Sequence, residues 1–420
     1  LRAYSPSPAR GGGSGWGSIL VEDGEPWINL HNDLRVIEST GEFTWSSERS
    51  GFRHIYLYGP DGKLIQQLTS GDWPAEATVA LDENSRDLYF VGWRESPLER
   101  HLFRLSLDGG EPERLTSEPG MHGAAIAPDF SSFVDVSSRR TYQPSVMVRS
   151  MTGVARSVIT ESTRLDLALP VPDLHRFRTS DGAELHAAVY RPSTSGLAPV
   201  IVFVYGGPGA QMVNDSWAQT VDLRAQMLAQ EGFVVLKVDN RGSARRGLAF
   251  EAPLARRMGQ IEVSDQVEGV RWLETLGFAD TSRVGIYGWS YGGYMTLMAL
   301  TTAPDAFKAG VVGAPVTFWE GYDTAYTEKY MGNPQENPEG YRLASPLTHI
   351  DRLRGKLLVI HGMIDENVHF RHTARLMQSL IDAGKPFETL LYPNERHMPR
   401  SEQDLVHMER RILEFFQRSL

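Results

Sequence analysis

The sequence predicts two fold classes in one chain: an all-β propeller region over residues 1–165, incomplete in its number of blades, and an α/β-hydrolase catalytic domain over 166–420. Three observations carry this. Gly288-Trp289-Ser290-Tyr291-Gly292 sits between an apolar run and a helical pattern. Landmarks in the first third of the chain recur at a fixed offset. Beyond about residue 170, continuous apolar runs alternate with amphipathic helical stretches, as in a parallel sheet covered on both faces.

With 420 residues the chain exceeds one ordinary core and divides naturally in two. Hydrophobic content of 41% and a formal net charge of −10 describe a globular chain without the basic face that nucleic acid requires. Cysteine is absent, which excludes a disulfide framework, a thiolate nucleophile and a zinc–thiolate site. It leaves the compartment open between periplasm, exterior and cytoplasm. No apolar run reaches the roughly 18 residues of a membrane span, and no metal or cofactor is expected. Leu1 is neither a methionine nor the start of a signal-like segment, so the true N-terminus is expected upstream.

Residues 1–30 contain Ser5-Pro6-Ser7-Pro8 and Gly11-Gly12-Gly13-Ser14-Gly15, the composition of a loop or linker. A phosphate cradle would need the Lys-Ser/Thr of a P-loop and a preceding strand, and neither is there. From about residue 34, short alternating segments with aromatics are separated by Asp-Gly and Pro turns, which reads as antiparallel β. His54, Asp61 and Leu68 recur as His101, Asp108 and Leu115, each at an offset of 47 residues. One offset shared by three landmarks is the mark of a structural repeat, and four short strands in 40–50 residues is the length of a propeller blade. Looser echoes fall at Ser18-Ile19-Leu20 and Ser145-Val146-Met147-Val148, so about three and a half blades fit. Because His54 and His101 travel with the repeat, packing explains them better than catalysis.

After Leu169-Pro170-Val171-Pro172, residues 177–187 predict a hairpin around Asp181-Gly182. Strands are predicted at 199–205, 233–238, 284–287, 309–312, 357–361 and 388–392. A helix is predicted over 263–276, with Val263, Val267, Val270 and Leu273 at helical spacing. The Gly-x-Ser-x-Gly between strand and helix is then a nucleophile elbow, with Gly288 and Gly292 where the backbone packs too closely for a side chain. Ser290 is the candidate nucleophile, and the Tyr291 N–H is aimed to stabilise an oxyanion. A serine needs a base, and the base needs a carboxylate to orient it. In hydrolase sheets these follow the serine in the order acid, then histidine. Asp365, past the strand ending at His361, is the candidate acid, with Glu366 its rival. Of the 12 histidines, His397 alone has the right order and loop. His361 precedes the acid, and His369, His372 and His407 fall on or beside predicted helices. His369 and His372 could mimic a metal pair, but a solvated helix face explains them better.

At these residues the chain resembles the prolyl oligopeptidase family, on its dipeptidyl peptidase IV side. The matching motifs are Tyr205-Gly206-Gly207-Pro208, Asp239-Asn240-Arg241-Gly242-Ser243, Gly288 to Tyr294, Ala314-Pro315-Val316, Trp319 with Tyr322-Asp323, Tyr326 to Gly332, and His361-Gly362 with Asn367-Val368-His369. The resemblance is close over about 170–420 and looser over 30–165. It implies a serine exopeptidase that releases N-terminal dipeptides with Pro or Ala second. Tyr205 would be the second oxyanion donor. Trp319, Tyr322, Tyr326, Val316 and Val368 would line a compact apolar pocket, and Asn367 would bind the carbonyl of the residue before the proline. A peptide substrate and a homodimer through the hydrolase domain are further implications. The rivals are an acylaminoacyl-peptidase or oligopeptidase of the same family and, more remotely, a carboxylesterase; a non-enzymatic propeller protein would leave the intact Ser290, Asp365 and His397 unexplained.

Two residues depart from the family pattern: Lys329 stands where arginine is usual, and Met398-Pro399 follow His397 in place of glycine. Dipeptidyl peptidases resembling this chain hold the substrate ammonium with paired glutamates, and this sequence contains no Glu-Glu. The chain is therefore expected to be the C-terminal part of a longer polypeptide, the alternative being a four-bladed miniature propeller.

Overall fold

The structure, a computed structural model, describes residues 2–6, 16–161 and 168–420. The Gly-rich loop expected at 11–15 lies outside the described residues. The chain forms two compact units: Leu1–Asp166 with Asn214–Trp217 and Arg245–Ala249, and the remainder from Leu167 onward.

In the first unit, three antiparallel sheets of four strands follow one another. The first holds Arg35–Val36, Phe43–Ser47, His54–Tyr58 and Leu64–Gln67. The second holds Ala75–Asp82, Asp87–Gly92, His101–Ser106 and Glu113–Arg114. The third holds Met121–Ile126, Ser132–Arg139, Tyr142–Ser150 and Ala155–Glu161. The two clear repeats and the echo at 145–148 thus all occupy third strands. The echo at 18–20 lies in Trp16–Val21, which pairs only with Arg2–Pro6.

The repeat has a chemical basis. His54 Nδ1 lies 3.0 Å from Thr69 Oγ1, and His101 Nδ1 lies 3.0 Å from Thr116 Oγ1. Each threonine oxygen also accepts the N–H of the residue after its histidine, Ile55 or Leu102. Both rings are buried beside packed apolar side chains, so each polar group needs this partner. Two short segments from beyond the expected boundary near 166 also belong to this unit. Asp215 accepts from Arg140 at 3.0 Å, and Arg245 pairs with Glu76 at 3.0 Å while lying over the Trp93 ring. Ion pairs of this kind leave no periodic signal in a sequence.

The second unit is built on eight strands: β1 (Asp173–Arg178), β2 (Glu184–Tyr190), β3 (Ala198–Phe203), β4 (Val234–Asp239), β5 (Ala279–Trp289), β6 (Ala309–Gly313), β7 (Lys356–Gly362) and β8 (Glu388–Tyr392). Their order is β1-β2-β4-β3-β5-β6-β7-β8. The hairpin β1–β2 and the β2–β4 pair are antiparallel, and every other pair is parallel. β4 and β6 are buried along their whole length; β6 carries no charge, and the one cation of β4, Lys237, pairs with Asp222. β5 is longer than its apolar core predicts, because Ala279 and Asp280 continue its pairing with β3.

Four helices bear on the site: α1 (Ile261–Glu274), α2 (Tyr291–Thr302), α3 (Thr324–Met331) and α4 (Arg371–Asp382). From Tyr291 through Thr301, every residue of α2 is buried. It is the central helix that carries the elbow into the core.

Candidate active site

β5 stops at Trp289 and α2 starts at Tyr291, so Ser290 alone makes the turn, at φ 60 and ψ −118. That conformation is costly for a residue with a Cβ and persists only when its surroundings enforce it. Two glycines permit it. A Cβ on Gly288 would stand 2.2 Å from the Gly292 carbonyl oxygen, and one on Gly292 would stand 2.3 Å from that of Val204. The Ser290 N–H donates to the Gly313 carbonyl at 2.9 Å, fixing the tip against β6.

Asp365 lies in the loop after β7, and His397 in the loop after β8. The structure brings them together: His397 Nδ1 lies 2.7 Å from Asp365 Oδ2. A carboxylate can only accept, so Nδ1 carries the proton and Nε2 keeps the lone pair that a general base needs. Trp289, next to Ser290, donates its indole N–H to the His397 carbonyl at 2.7 Å. Elbow and base loop are thereby tied. Glu366, the rival acid, is exposed and pairs with Arg396.

Burial opposes ionisation of Asp365, but hydrogen bonds from His361, His397 and the Asn367 N–H outweigh it and hold the carboxyl well below the usual carboxylate range. Its Oδ1 accepts the N–H groups of Asn367 and Val368 at 2.9 and 3.0 Å.

Tyr205 follows β3, its ring centroid 6.1 Å from that of Tyr291. Burial raises its hydroxyl pKa, so it stays a donor at neutral pH. The Tyr291 ring packs 5.7 Å from Trp319, which in turn lies 5.9 Å from Tyr322 and 6.2 Å from Tyr326. Val316 and Val368 are buried, at 2% and 0% exposure. Tyr322 donates its hydroxyl to Asn367 Oδ1 at 2.9 Å, leaving the Asn367 amide group to donate. Of the residues named by resemblance, Tyr205, Trp319, Tyr322 and Tyr326 thus gather in one aromatic cluster with Tyr291, and Asn367 is joined to it through Tyr322.

Three polar residues near the site escaped sequence reasoning. His372 is not on a solvated face: it is wholly buried, accepts the Thr317 N–H at 3.1 Å on Nδ1 and reaches the Gly321 carbonyl at 3.2 Å through Nε2. Burial lowers its pKa to about 4, which keeps the ring neutral. Leu376 and Leu380, one and two turns later and equally buried, were the available signal. His369, by contrast, is exposed. Glu262 is fully buried in α1, where its Oε1 accepts from the Tyr291 hydroxyl at 2.9 Å and the Gly259 N–H at 2.8 Å. Its neighbours Asp265 and Gln266 are buried too, so a polar stripe that looks solvent-facing in sequence faces inward. His361, the last histidine of β7, contacts the acid directly.

Residues 219–420 match the prolyl oligopeptidase family, and residues 15–144 match the dipeptidyl peptidase IV (DPP IV) N-terminal region. Dipeptidyl peptidase 8 of Homo sapiens is 36% identical over 451 aligned residues, covering 96% of this chain and 50% of that protein. Probable dipeptidyl-aminopeptidase B of Emericella nidulans is 34% identical, over 83% of this chain and 40% of its own length. Among solved structures, Porphyromonas gingivalis dipeptidyl peptidase 4 superposes with a TM-score of 0.84 at 30% identity, covering 92% of this chain and 56% of that one. The chain spans about half the length of the curated relatives it matches. Among the described residues, no helix is long and apolar enough to cross a membrane. With an all-β N-terminal region of the DPP IV type preceding an α/β-hydrolase domain, the chain belongs to the prolyl oligopeptidase family.

Proposed function

We propose that the chain carries a serine dipeptidyl peptidase activity that releases N-terminal dipeptides with Pro or Ala in second position, through an acyl-enzyme on Ser290. The observation that supports it best is the bonded Asp365–His397 pair, tied through Trp289 to a strained Ser290 beside a cage of aromatic rings. The similar proteins named above are dipeptidyl peptidases or dipeptidyl-aminopeptidases, which points the same way.

His397 Nε2 takes the Ser290 Oγ proton as the oxygen attacks the scissile carbonyl, and later returns it to the leaving amine. Asp365 stabilises the imidazolium that forms. The developing oxyanion takes hydrogen bonds from the Tyr291 N–H, fixed at the start of α2, and from the Tyr205 hydroxyl. Val316, Trp319, Tyr322, Tyr326 and Val368 leave a space suited to a pyrrolidine or a methyl group, and the Asn367 amide donates to the carbonyl of the preceding residue.

Chromogenic amides and esters test the proposal. Free-amine Xaa-Pro and Xaa-Ala amides are expected to release dipeptide, and Xaa-Phe amides are not. Comparable turnover of Xaa-Phe would end the pocket assignment. Because the sequence contains no Glu-Glu pair, N-blocked amides are the informative control: faster cleavage of these favours an acylaminoacyl-peptidase or oligopeptidase. Turnover of acyl esters alone would favour a carboxylesterase.

A further inference from the structure

Asp365 Oδ2 has two imidazole partners. Besides His397, the buried ring of His361 places Nε2 at 3.1 Å from the same oxygen and 2.9 Å from the Val368 carbonyl. A carboxylate and a carbonyl both only accept, so Nε2 of His361 must carry a hydrogen whichever charge the ring has. Its other nitrogen, Nδ1, lies 2.7 Å from Thr373 Oγ1 on α4, and Phe370 stands edge-on to the ring at 5.6 Å. The ring is wholly buried, and both acceptors of its Nε2–H belong to the loop that carries Asp365. We infer that His361 is a positioning residue for proton transfer: it fixes the Asp365 carboxylate and the Val368 backbone together, and so sets the direction in which Asp365 holds His397. This rests on Ser290, Asp365 and His397 acting as the catalytic triad.

Two consequences separate this role from plain support of the fold. A carboxylate that loses one donor holds its other partner more strongly, so without His361 the His397 imidazolium is stabilised and the acid limb of the rate profile moves to higher pH. The carboxylate is also freer to rotate, which lowers the rate of the chemical step without weakening ground-state binding. The titratable groups around His361 are Asp365 and His397 on the loop side and His372 on α4, whose charge is coupled to it.

The test uses the full chain and a fluorophosphonate probe, which reports the reactivity of Ser290 without needing the peptide specificity to be known. His361→Phe keeps a ring beside Phe370 and removes the donor; His361→Gln places an amide N–H near the Nε2 position. Labelling by H361F is expected to fall about ten- to a hundred-fold, with its acid limb raised by roughly one pH unit. H361Q is expected to recover most of the rate and restore the limb. On an amide substrate, the H361F loss should lie in kcat and not in KM. Labelling of H361F at the wild-type rate and with the wild-type pH dependence overturns the inference alone, whereas a wild-type protein that is not labelled overturns the triad on which it rests. If H361F does not fold, His361→Asn replaces it: too short to reach Asp365, it should label far more slowly than H361Q, and equal rates overturn the inference.

Discussion

At Ser290 the backbone is held at φ 60 by glycines on both sides, an arrangement that serves exposure of a hydroxyl and little else. Ser290→Ala is therefore expected to remove nearly all turnover, about a million-fold by comparison with a similar nucleophile, while thermal unfolding stays close to wild type. Retained turnover would place the chemistry elsewhere. Tyr205→Phe separates charge stabilisation from binding. In the proposed mechanism the Tyr205 hydroxyl acts on an oxygen that becomes negative only during reaction, so kcat should fall by the equivalent of about 3–4 kcal/mol with KM little changed. A change confined to KM would make Tyr205 a substrate-binding group. The elbow position of Ser290 and the loops of Asp365 and His397 could all be placed from spacing, because each leaves the sheet at a particular strand. His361 could not, since nothing in a strand-end histidine tells which neighbour its Nε2 will meet.

Elements were legible where one property ran along them. β4, β6, β7 and β8 were located to within a residue or two from apolar runs alone, and the elbow marked the junction of β5 with α2. α1 was located by its valines, but its inward polar stripe was hidden, because Glu262, Asp265 and Gln266 also have the spacing of a solvated face. That stripe has a measurable cost. Full burial raises the Glu262 pKa to about 7 against the hydrogen bonds from Gly259 and Tyr291 that favour its charge, and Oε2 has no hydrogen-bond partner among the described residues. A raised pKa means that the folded chain prefers the protonated acid. The associated stability is complete below about pH 4, where the unfolded side chain is also protonated, and is lost as pH rises through about 7. Glu262→Gln stays uncharged, so its stability relative to wild type should grow over that interval by on the order of 3 kcal/mol and then level off. Denaturant melts at pH 4, 6 and 8 check this, and a constant difference would mean that folding does not raise the Glu262 pKa.

Across the whole chain, the repeat at 47 residues announced the first two sheets of the first unit, because both solve the same packing problem with the same His–Thr pair. The second unit announced itself by alternation, and its site collects on loops that follow β3, β5, β7 and β8, at the carboxyl ends of parallel strands. The short segments 214–217 and 245–249 stayed hidden, since they join the first unit through ion pairs, isolated backbone hydrogen bonds and a ring contact. One detail of the second unit reaches beyond geometry. The two oxygens of Asp365 face different clients: Oδ2 the histidines, Oδ1 the backbone of Asn367 and Val368. In the proposed pocket, a substrate that crowds Val368 thus strains the anchor of the His397–Asp365 pair, and misfit is felt in the speed of reaction and not only in the tightness of the encounter. Ill-fitting amides should then act as sluggish substrates with near-normal KM and depressed kcat, competing with good ones while turning over slowly; selectivity carried wholly by KM would show that pocket and anchor move independently.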